Sequence, residues 1–327
     1  MKAVIAKERG GPEVLRLVDL DIPVLADGEV RINVKAFGLN KVDSCYRRGL
    51  FRSFVPGQIL GIEAVGVVDK DLSGNFCPGQ KVATVMGGMM LNRPGCYAEY
   101  VSVSAQNVIK IDSSLSFTQL AGIPMAYGTA WLALNKNLKI RRGQTLLVRN
   151  GTTSLGMAAI SYAKGKGLKV LAATQDKNKI ALIRELDVDK VLIDDENLHE
   201  QLIKLYPVSI DCCLEQKNSL TIADSMRCLK AWGGITVVDW LMGETTIRRS
   251  NLEQNLPPTI KYSYLSSEQL YCNKIPLSNS FLQWCVKKME ENKLYNPISD
   301  VFHIDEIIPA HALLDSDYAD GKIVITI

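Results

Sequence analysis

The sequence predicts a two-domain α/β protein that combines a doubly wound parallel sheet with a domain of short strands. The chain has 327 residues, 47% of them hydrophobic, which is enough for a large core at about 150 residues per domain. From Thr145 onwards, apolar runs alternate with helical stretches, as in a parallel sheet. Before Thr145, period-two patterns are interrupted by Gly and Pro. These three observations predict two domains of different architecture.

The first part, from Met1 to about Ser116, is predicted to form a compact barrel of short strands. In the segment "EVRINVKAF", the apolar residues recur at every second position and so share one face of a strand: Val30, Ile32, Val34 and Ala36. Gly-Pro and Pro-Gly pairs separate such segments, which is typical of tight turns between short strands.

The second part carries the alternating pattern. Its predicted strands are "TLLVR", "KVLAAT", "KVLID", "SIDCCL" and "ITVVDW", and its helices are "KNKIALIREL", "LHEQLIKLY" and "SLTIADSMRCLK". Strands buried on both faces read as continuous apolar runs, which predicts a doubly wound parallel sheet. An amphipathic helix and a last strand, "GKIVITI", follow. A single strand needs partners, so we expect a discontinuous first domain, residues 1–118 and 268–327, around a nucleotide domain at 119–267.

Composition excludes several classes of function. The net charge is +3 without a dense Lys/Arg run, which disfavours nucleic acid as a partner. Neither a signal peptide nor a membrane-spanning apolar run is evident, so a soluble cytoplasmic protein is expected. The eight cysteines form no CxxC pair, which favours reduced thiols. His199, His303 and His311 are too scattered for the usual metal spacings, and each is expected at the surface or at a helix cap.

The stretch "TLLVRNGTTSLGMAAISYAKGKGLKVLAAT" predicts a strand, a tight turn, a helix and a strand, the arrangement that holds a dinucleotide pyrophosphate. Gly151 permits close backbone approach and Gly156 permits close helix packing. Asn150 stands at a usual glycine position and tolerates a positive φ, while hydroxyl groups can donate to a phosphate. The predicted cofactor-binding residues of the turn are Gly151, Thr152, Thr153, Ser154, Leu155 and Gly156. The pattern alone leaves open a turn without a ligand.

The end of the second strand favours NADPH over NADH. An NAD site usually has Asp or Glu there, to accept from the ribose hydroxyls, whereas this chain has Thr174 followed by Gln175. Lys177 and Lys179 come directly afterwards, so a 2′-phosphate is tolerated, and these four residues are predicted to contact the cofactor. Asp176 favours the alternative, in which the lysines only begin the next helix.

Several segments together resemble one family. They are "GGPEVLRL", "KAFGLNKVD", "LGIEAVGVV", "CYAEYVSV", "GTAWLAL", "RRGQTLLVRNGTTSLGMAAISYAK" and "GKIVITI". In this order they resemble the medium-chain dehydrogenase/reductase superfamily, and more closely its zinc-independent quinone oxidoreductase-like branch. The resemblance implies a GroES-like β-barrel catalytic domain wrapped around a Rossmann domain, an active site in the cleft, and commonly a homodimer.

The resemblance also bears on metal binding and on the reaction. Zinc alcohol dehydrogenases of the superfamily carry Cys and His where this chain has Asn40 and Ile62, and they have a lobe of four close cysteines that is missing here. Glu63 alone does not make a zinc site, so no metal is expected. Without a Lewis acid, a quinone or an α,β-unsaturated carbonyl is the expected hydride acceptor, because conjugation spreads the developing charge.

Four residues are candidates for the reaction centre. Asn40 could hold the nicotinamide carboxamide or a substrate carbonyl, or only shape a turn. Asp43 could orient its neighbours or cap a helix. Tyr46 could donate to an oxyanion, although Cys45 could take its place in the alignment. Thr129 resembles a family threonine near the nicotinamide, the alternative being an intrahelical hydroxyl bond.

Two departures from the family leave alternatives open. Relatives usually place a glycine after the fourth strand of the nucleotide domain, where this chain has Gln216 and Lys217. Trp240 follows the fifth strand and could line the cofactor or substrate pocket, or fill it. A non-catalytic NADPH-binding redox sensor or structural protein is therefore an alternative to an enzyme. A dehydrogenase of simple alcohols is disfavoured by the missing zinc ligands.

Overall fold

The structure, a computed structural model, describes residues 1–51, 53–205, 210–216, 219–238, 259–266, 281–316 and 318–327. The chain divides into two compact units. The first unit comprises Met1–Gly128, Glu268–Asn292 and Asn296–Ile327, and the second comprises Thr129–Ser267 and Lys293–Tyr295.

The described strands and helices follow one another along both units. The strands are β1 (Lys2–Ala6), β2 (Leu15–Asp19), β3 (Glu29–Gly38), β4 (Glu63–Asp71), β5 (Lys81–Val85), β6 (Tyr100–Ser104), β7 (Val108–Lys110), β8 (Thr145–Val148), β9 (Lys169–Thr174), β10 (Lys190–Ile193), β11 (Ile210–Glu215), β12 (Leu229–Val237), β13 (Lys261–Tyr264), β14 (Ile298–His303) and β15 (Lys322–Thr326). The α-helices are α1 (Lys41–Arg47), α2 (Phe117–Ala121), α3 (Pro124–Trp131), α4 (Ser154–Gly165), α5 (Ile180–Arg184), α6 (Leu198–Leu205), α7 (Ser219–Arg227), α8 (Leu282–Glu290) and α9 (Ile307–Ser316). A π-helix, Leu132–Asn137, follows α3.

The first unit is built on a largely antiparallel sheet. Its described strands pair in the order β14-β15-β3-β4-β5-β7, with β6 also on β3, while β1 and β2 form a separate pair. The predicted inward face of β3 is confirmed, because Val30, Ile32, Val34 and Ala36 are all 0% exposed. The last strand β15 pairs antiparallel with β3, as expected from its need for partners. The end of the chain thus completes a sheet begun near its start.

The second unit contains a parallel sheet, and the prediction of a doubly wound architecture is confirmed. The described order is β10-β9-β8-β11-β12-β13, and each neighbouring pair is parallel. Its core includes Leu147, Leu171, Cys213 and Ile235, one residue from each of four strands. The strand order reverses between β8 and β11. Such a reversal leaves a crevice at the carboxyl ends of the strands, where ligands bind in this class of fold.

Two predicted helices have different bounds in the structure. The stretch at Lys177–Lys179 forms a 3₁₀ turn before α5. Helix α7 ends at Arg227 rather than continuing to Lys230, because Leu229 already pairs with Ile210 in the sheet. Among the described residues, no helix has both the length and the apolar character needed to span a membrane.

Candidate functional site

The predicted dinucleotide turn lies between β8 and α4, at the carboxyl end of the sheet. Asn150 has a φ of 56°, so the expectation that it replaces a glycine by adopting the left-handed region is confirmed. A Cβ atom on Gly156 would lie 2.3 Å from the carbonyl oxygen of Asn150. Only glycine fits there, because the first turn of α4 packs directly on the turn that precedes it.

The groups within the turn have distinct roles. The N–H of Gly151 donates to the carbonyl of Ala173 at 2.9 Å, which fastens the turn to β9. The hydroxyl of Thr153 accepts from the N–H of Gly156 at 2.9 Å and thereby caps α4. This hydroxyl also donates to Oε1 of Gln216 at 2.8 Å and lies 3.1 Å from the carbonyl oxygen of Asn150. Its contact with a phosphate stays a prediction. The N–H groups at the start of α4, at Ser154 and Leu155, are those placed to bind an anion.

The end of β9 has no carboxylate at the predicted ribose position. Thr174 ends the strand and is buried, and its hydroxyl accepts from the N–H of Asp176 at 3.2 Å. Asp176 in turn caps the 3₁₀ turn by accepting from the N–H of Asn178 at 2.9 Å. Gln175 and Lys177 are exposed. Lys177 is therefore an exposed positive charge three residues after the end of the strand.

Other predicted cofactor residues lie elsewhere. Lys179 ends the 3₁₀ turn and is half-buried. Thr152 is half-buried in the turn before α4, and Thr129 is buried within α3. Trp240 lies outside the described residues, as does Lys217, so their proposed relation to the cofactor stays a prediction.

A buried arginine, which the sequence analysis missed, lies at the start of the turn. Arg149 follows β8 directly and is 0% exposed. Its Nε and Nη2 atoms lie 3.0 and 2.8 Å from the two carboxylate oxygens of Asp194, and Nη2 lies 3.0 Å from Asp224. Nη1 lies 3.7 Å from Glu215. Burial lowers the pKa of Arg149, but the bond to Asp194 and the surrounding negative charges outweigh it and raise the pKa. The sequence feature that could have identified Arg149 is a charged residue at the end of an apolar strand.

Asn40 is the first catalytic candidate, and both polar atoms of its carboxamide make hydrogen bonds. It precedes α1, and its Nδ2 donates to Oε1 of Glu63 at 2.9 Å and to the carbonyl of Gly38 at 3.2 Å. Its Oδ1 accepts from Nζ of Lys322 at 2.7 Å. The ammonium of Lys322 also lies 2.6 Å from Oε1 of Glu63. Asn40 is therefore fixed in orientation by hydrogen bonds to both polar atoms of its carboxamide.

Lys322 is a second residue that the sequence analysis missed. It is 2% exposed and donates to Asn40, Glu63 and the carbonyl of Leu39. The other carboxylate oxygen of Glu63 accepts from the N–H of Met125 at 2.8 Å. Ile62, beside it, is buried and apolar. These groups do not fit Zn²⁺, because the carboxylate and amide oxygens already bind an ammonium group. Among the residues that the structure describes, no three His, Cys, Asp or Glu side chains are grouped so as to hold a metal ion. The sequence feature that could have identified Lys322 is a lysine in an otherwise apolar strand.

Asp43 lies in α1 and is fully buried. Its Oδ2 accepts from the N–H of Asn40 and from the hydroxyl of Tyr97, both at 2.8 Å. Burial raises the pKa of Asp43 to about 7, against the lowering effect of these hydrogen bonds and of the Lys322 charge. Asp43 thus caps the helix and also ties it to Tyr97. The structure brings Asn40 and Asp43 into one hydrogen-bonded network.

His311 faces the same network. Its Nε2 lies 3.3 Å from the hydroxyl of Tyr97, and its ring packs edge-on to the Tyr97 ring with centroids 5.7 Å apart. Because His311 is 0% exposed, the expectation of a surface or capping histidine is wrong for it. Burial lowers the pKa of His311 to about 3, so the imidazole is neutral near pH 7. The expectation holds for His303, which caps a short 3₁₀ helix.

Tyr46 makes a separate set of contacts. Its hydroxyl accepts from the N–H of Val55 at 3.1 Å, and its ring lies against Phe54 with centroids 5.6 Å apart. Tyr46 is 2% exposed. The side chain holds the segment that follows α1, and its hydroxyl still has a proton to donate.

Two family models match the chain. The family described as "Alcohol dehydrogenase GroES-like domain" matches residues 26–113, and "Zinc-binding dehydrogenase" matches residues 154–271. Together these matches span more than half of the chain and cover parts of both units. The chain belongs to the medium-chain dehydrogenase/reductase superfamily. Within this superfamily it is quinone oxidoreductase-like, and it is an NAD(P)H-dependent oxidoreductase.

Individual relatives support this assignment over the full length. The quinone oxidoreductase of Homo sapiens is 28% identical over 99% of this chain and 97% of its own length. The solved quinone oxidoreductase from Coxiella burnetii is 29% identical, covers 100% of this chain and 99% of its own, and superposes with a TM-score of 0.84. A solved NAD-dependent alcohol dehydrogenase is 26% identical, with full coverage of both chains and a TM-score of 0.85.

Proposed function

We propose that this reductase uses NADPH to transfer a hydride to a quinone or an α,β-unsaturated carbonyl, without zinc. The bound nicotinamide supplies the hydride. The chain's own residues bind the cofactor, orient the reacting groups and stabilise the charge that develops on the acceptor oxygen. The acceptor is a small conjugated molecule.

The observation that carries the proposal is the ammonium of Lys322 between Glu63 and Asn40. In the zinc-dependent members of the superfamily, a metal-ligating Cys stands at the position of Asn40. Here the oxygens of Asn40 and Glu63 both bind Lys322, at 2.7 and 2.6 Å. A zinc ion would have to displace a buried ion pair to reach them. This disfavours an unactivated alcohol or ketone as substrate, because no metal ion would then polarise its oxygen as a Lewis acid.

A conjugated acceptor matches the groups that remain. Conjugation spreads the negative charge over several atoms, so hydrogen-bond donors suffice to stabilise the reduced product. The carboxamide of Asn40 is held in one orientation by Lys322 and Glu63. We propose that Asn40 orients the nicotinamide, with Asp43 holding the start of α1 in place. Tyr46 is retained as a candidate proton donor.

The preference for NADPH follows from the end of β9. Thr174 presents no carboxylate that would repel a 2′-phosphate, and the Lys177 side chain is exposed directly after it. A positive charge near this position favours a phosphate over a ribose hydroxyl. The single carboxylate of the segment, Asp176, is committed to capping the 3₁₀ turn.

The experiment is a titration of the purified protein with NADPH and NADH, followed by addition of quinones and enones while the absorbance of the reduced nicotinamide is recorded. NADPH oxidation by members of this panel, unchanged by a zinc chelator, is the expected result. Binding without turnover by any acceptor would favour the non-catalytic sensor. Stoichiometric zinc in metal analysis would contradict the zinc-free reaction.

We also propose a homodimer, to be tested by sedimentation velocity.

A further inference from the structure

Gln216 occupies a particular place in the nucleotide-binding unit. It follows β11 directly, and β11 pairs in parallel with β8, with Leu214 opposite Val148. The strand order reverses between these two strands. Gln216 and Arg149 therefore lie side by side at the carboxyl ends of the strands that border the ligand crevice.

Both polar atoms of the Gln216 carboxamide bind the dinucleotide turn. Its Nε2 donates to the carbonyl of Arg149 at 2.8 Å, where the turn begins. Its Oε1 lies 2.8 Å from the hydroxyl of Thr153, where the turn ends. The same hydroxyl accepts from the N–H of Gly156. A chain of hydrogen bonds thus runs from β11 through Gln216 to the first turn of α4.

The backbone around Gln216 is held in place by hydrogen bonds to the neighbouring strands. The N–H of Arg149 donates to the carbonyl of Leu214 at 3.0 Å, and the N–H of Val238 donates to the carbonyl of Glu215 at 2.9 Å. The Arg149 side chain is held by buried carboxylates. These contacts fix the backbone at Gln216, so its carboxamide has a defined direction.

This bridge explains how a turn with only two glycines can hold its shape. The sequence "NGTTSLG" places Asn150 and Thr153 where a glycine-rich turn would have no side chains. Gln216 bonds to this altered turn at both of its ends. The pairing suggests that the side chain of Gln216 replaces a restraint that the turn's own sequence does not provide.

We propose that Gln216 is a positioning residue that cross-links the ends of β8 and β11 and holds the dinucleotide turn ready for the pyrophosphate. The inference rests on the proposed cofactor binding. A turn that is ordered in advance loses less conformational freedom when the ligand binds. The bridge acts on the pyrophosphate-binding turn, so it contributes equally to the affinity for NADPH and for NADH.

The experiment compares cofactor affinity and stability in matched variants. Gln216→Met keeps the length of the side chain and removes both hydrogen bonds. Gln144→Met is the control, because Gln144 also accepts a hydrogen bond, from the N–H of Arg141, at the opposite end of β8. Dissociation constants for NADPH and NADH are measured by titration calorimetry, and the melting temperature of each variant is recorded.

The expected result is a rise of about tenfold in both dissociation constants for Gln216→Met, in line with the loss of two neutral hydrogen bonds. The ratio of NADPH to NADH affinity stays unchanged, and Gln144→Met binds as the wild type does. A Gln216→Met protein that binds with unchanged or higher affinity would overturn the inference. If the wild type binds neither nucleotide, the proposed function fails as well, so the two failures are distinguishable.

A second set of variants tests the bridge from its other side. Thr153→Ser keeps the hydroxyl and is expected to bind as the wild type does, whereas Thr153→Val weakens binding. The double variant with Gln216→Met is expected to bind more tightly than the product of the two single effects predicts, because both changes break the same bond. Independent effects would contradict the bridge. If Gln216→Met does not fold, Gln216→Asn is measured in its place: its shorter side chain cannot reach both Arg149 and Thr153, and the same loss of affinity is expected.

Discussion

Nζ of Lys322 lies 2.6 Å from Oε1 of Glu63, and the two side chains are 2% and 1% exposed. The residues are 259 positions apart in the sequence. Strand β15 brings Lys322 to the side of β3, and β4 places Glu63 beside the same strand. The last strand of the chain thus supplies the countercharge for a carboxylate near its beginning.

Replacing Lys322 by methionine is expected to destabilise the protein strongly. The substitution leaves the Glu63 carboxylate buried without its countercharge, which typically costs about 3–5 kcal/mol. Asn40 also loses the donor that orients its Oδ1. The measurement is urea unfolding, with the free energy of unfolding extrapolated to water.

The matched control is the double variant Lys322→Met with Glu63→Gln. It removes both charges and keeps an acceptor for the N–H of Met125, so it is expected to recover most of the lost stability. If the double variant is as unstable as Lys322→Met alone, the charge of Glu63 is not the cause.

Gly156→Val is expected to abolish binding of NADPH without unfolding the first unit. The added side chain would meet the carbonyl oxygen of Asn150 at 2.3 Å, so the turn must open. Gly165→Ala, near the other end of α4, is the control, since its Cβ would have only an ordinary contact of 3.6 Å with Leu294. Binding is measured by titration calorimetry and folding by circular dichroism. A Gly156→Val protein with wild-type affinity would show that the turn is not the pyrophosphate site.

Asp43 is expected to make stability fall as the pH rises. Its folded-state pKa of about 7 lies above the ordinary value of about 4, so the folded protein holds a proton that the unfolded chain releases. The stabilising contribution is therefore complete below about pH 4 and is lost as the pH rises to about 7, with a total effect of up to about 4 kcal/mol. Chemical unfolding at a series of pH values measures this dependence.

Asp43→Asn provides the comparison, because the amide keeps an acceptor for Tyr97 and has no charge to desolvate. This variant is expected to lose the part of the pH dependence that Asp43 contributes and to gain stability relative to the wild type above pH 7. Parallel profiles for the two proteins would mean that the pKa of Asp43 is the same in the folded and unfolded states, which would contradict the prediction.

Arg149→Met is expected to destabilise the nucleotide-binding unit. Asp194, Asp224 and Glu215 would then be buried without the guanidinium that lies among them, a loss of about 3–5 kcal/mol. The exposed Arg142→Met is the control. Urea unfolding measures both, and equal stability of the two variants would show that the carboxylates are neutralised in another way.

Lys177→Gln is expected to weaken NADPH binding and to leave NADH binding unchanged. An exposed charge pair contributes up to about 1 kcal/mol, so the dissociation constant for NADPH rises by about fivefold, and less at high salt. Lys190→Gln, at the amino end of β10, is the comparison. A parallel loss of affinity for both nucleotides would place Lys177 away from the 2′-phosphate.

The fold was largely predictable because it depends on periodicity. The inward face of β3, the strand runs of the parallel sheet and the turn before α4 all follow from local spacing of apolar residues and glycines. The positive φ of Asn150 was predictable for the same reason, since few residues tolerate that conformation. The end of α7 was not, because pairing of Leu229 with Ile210 decides it.

The candidate site was predictable only in part. The family resemblance proposed Asn40 and Asp43 as site residues, but it gave no sign of what either side chain contacts. His311 was expected at the surface, yet it is buried beside Tyr97, 214 positions earlier in the chain. Contacts over such separations depend on how strands and helices pack, which local composition does not encode.

The family resemblance implied that the usual zinc ligands are absent at Asn40 and Ile62. The sequence by itself determined the class of the protein: two kinds of sheet and a strand-turn-helix segment typical of a dinucleotide site. These follow from residue types at given spacings. Only the tertiary structure decided that Lys322 neutralises Glu63, that carboxylates surround Arg149 and that Gln216 bridges the turn. The physical reason is that buried charges and amides must find partners, and folding selects those partners from distant parts of the chain.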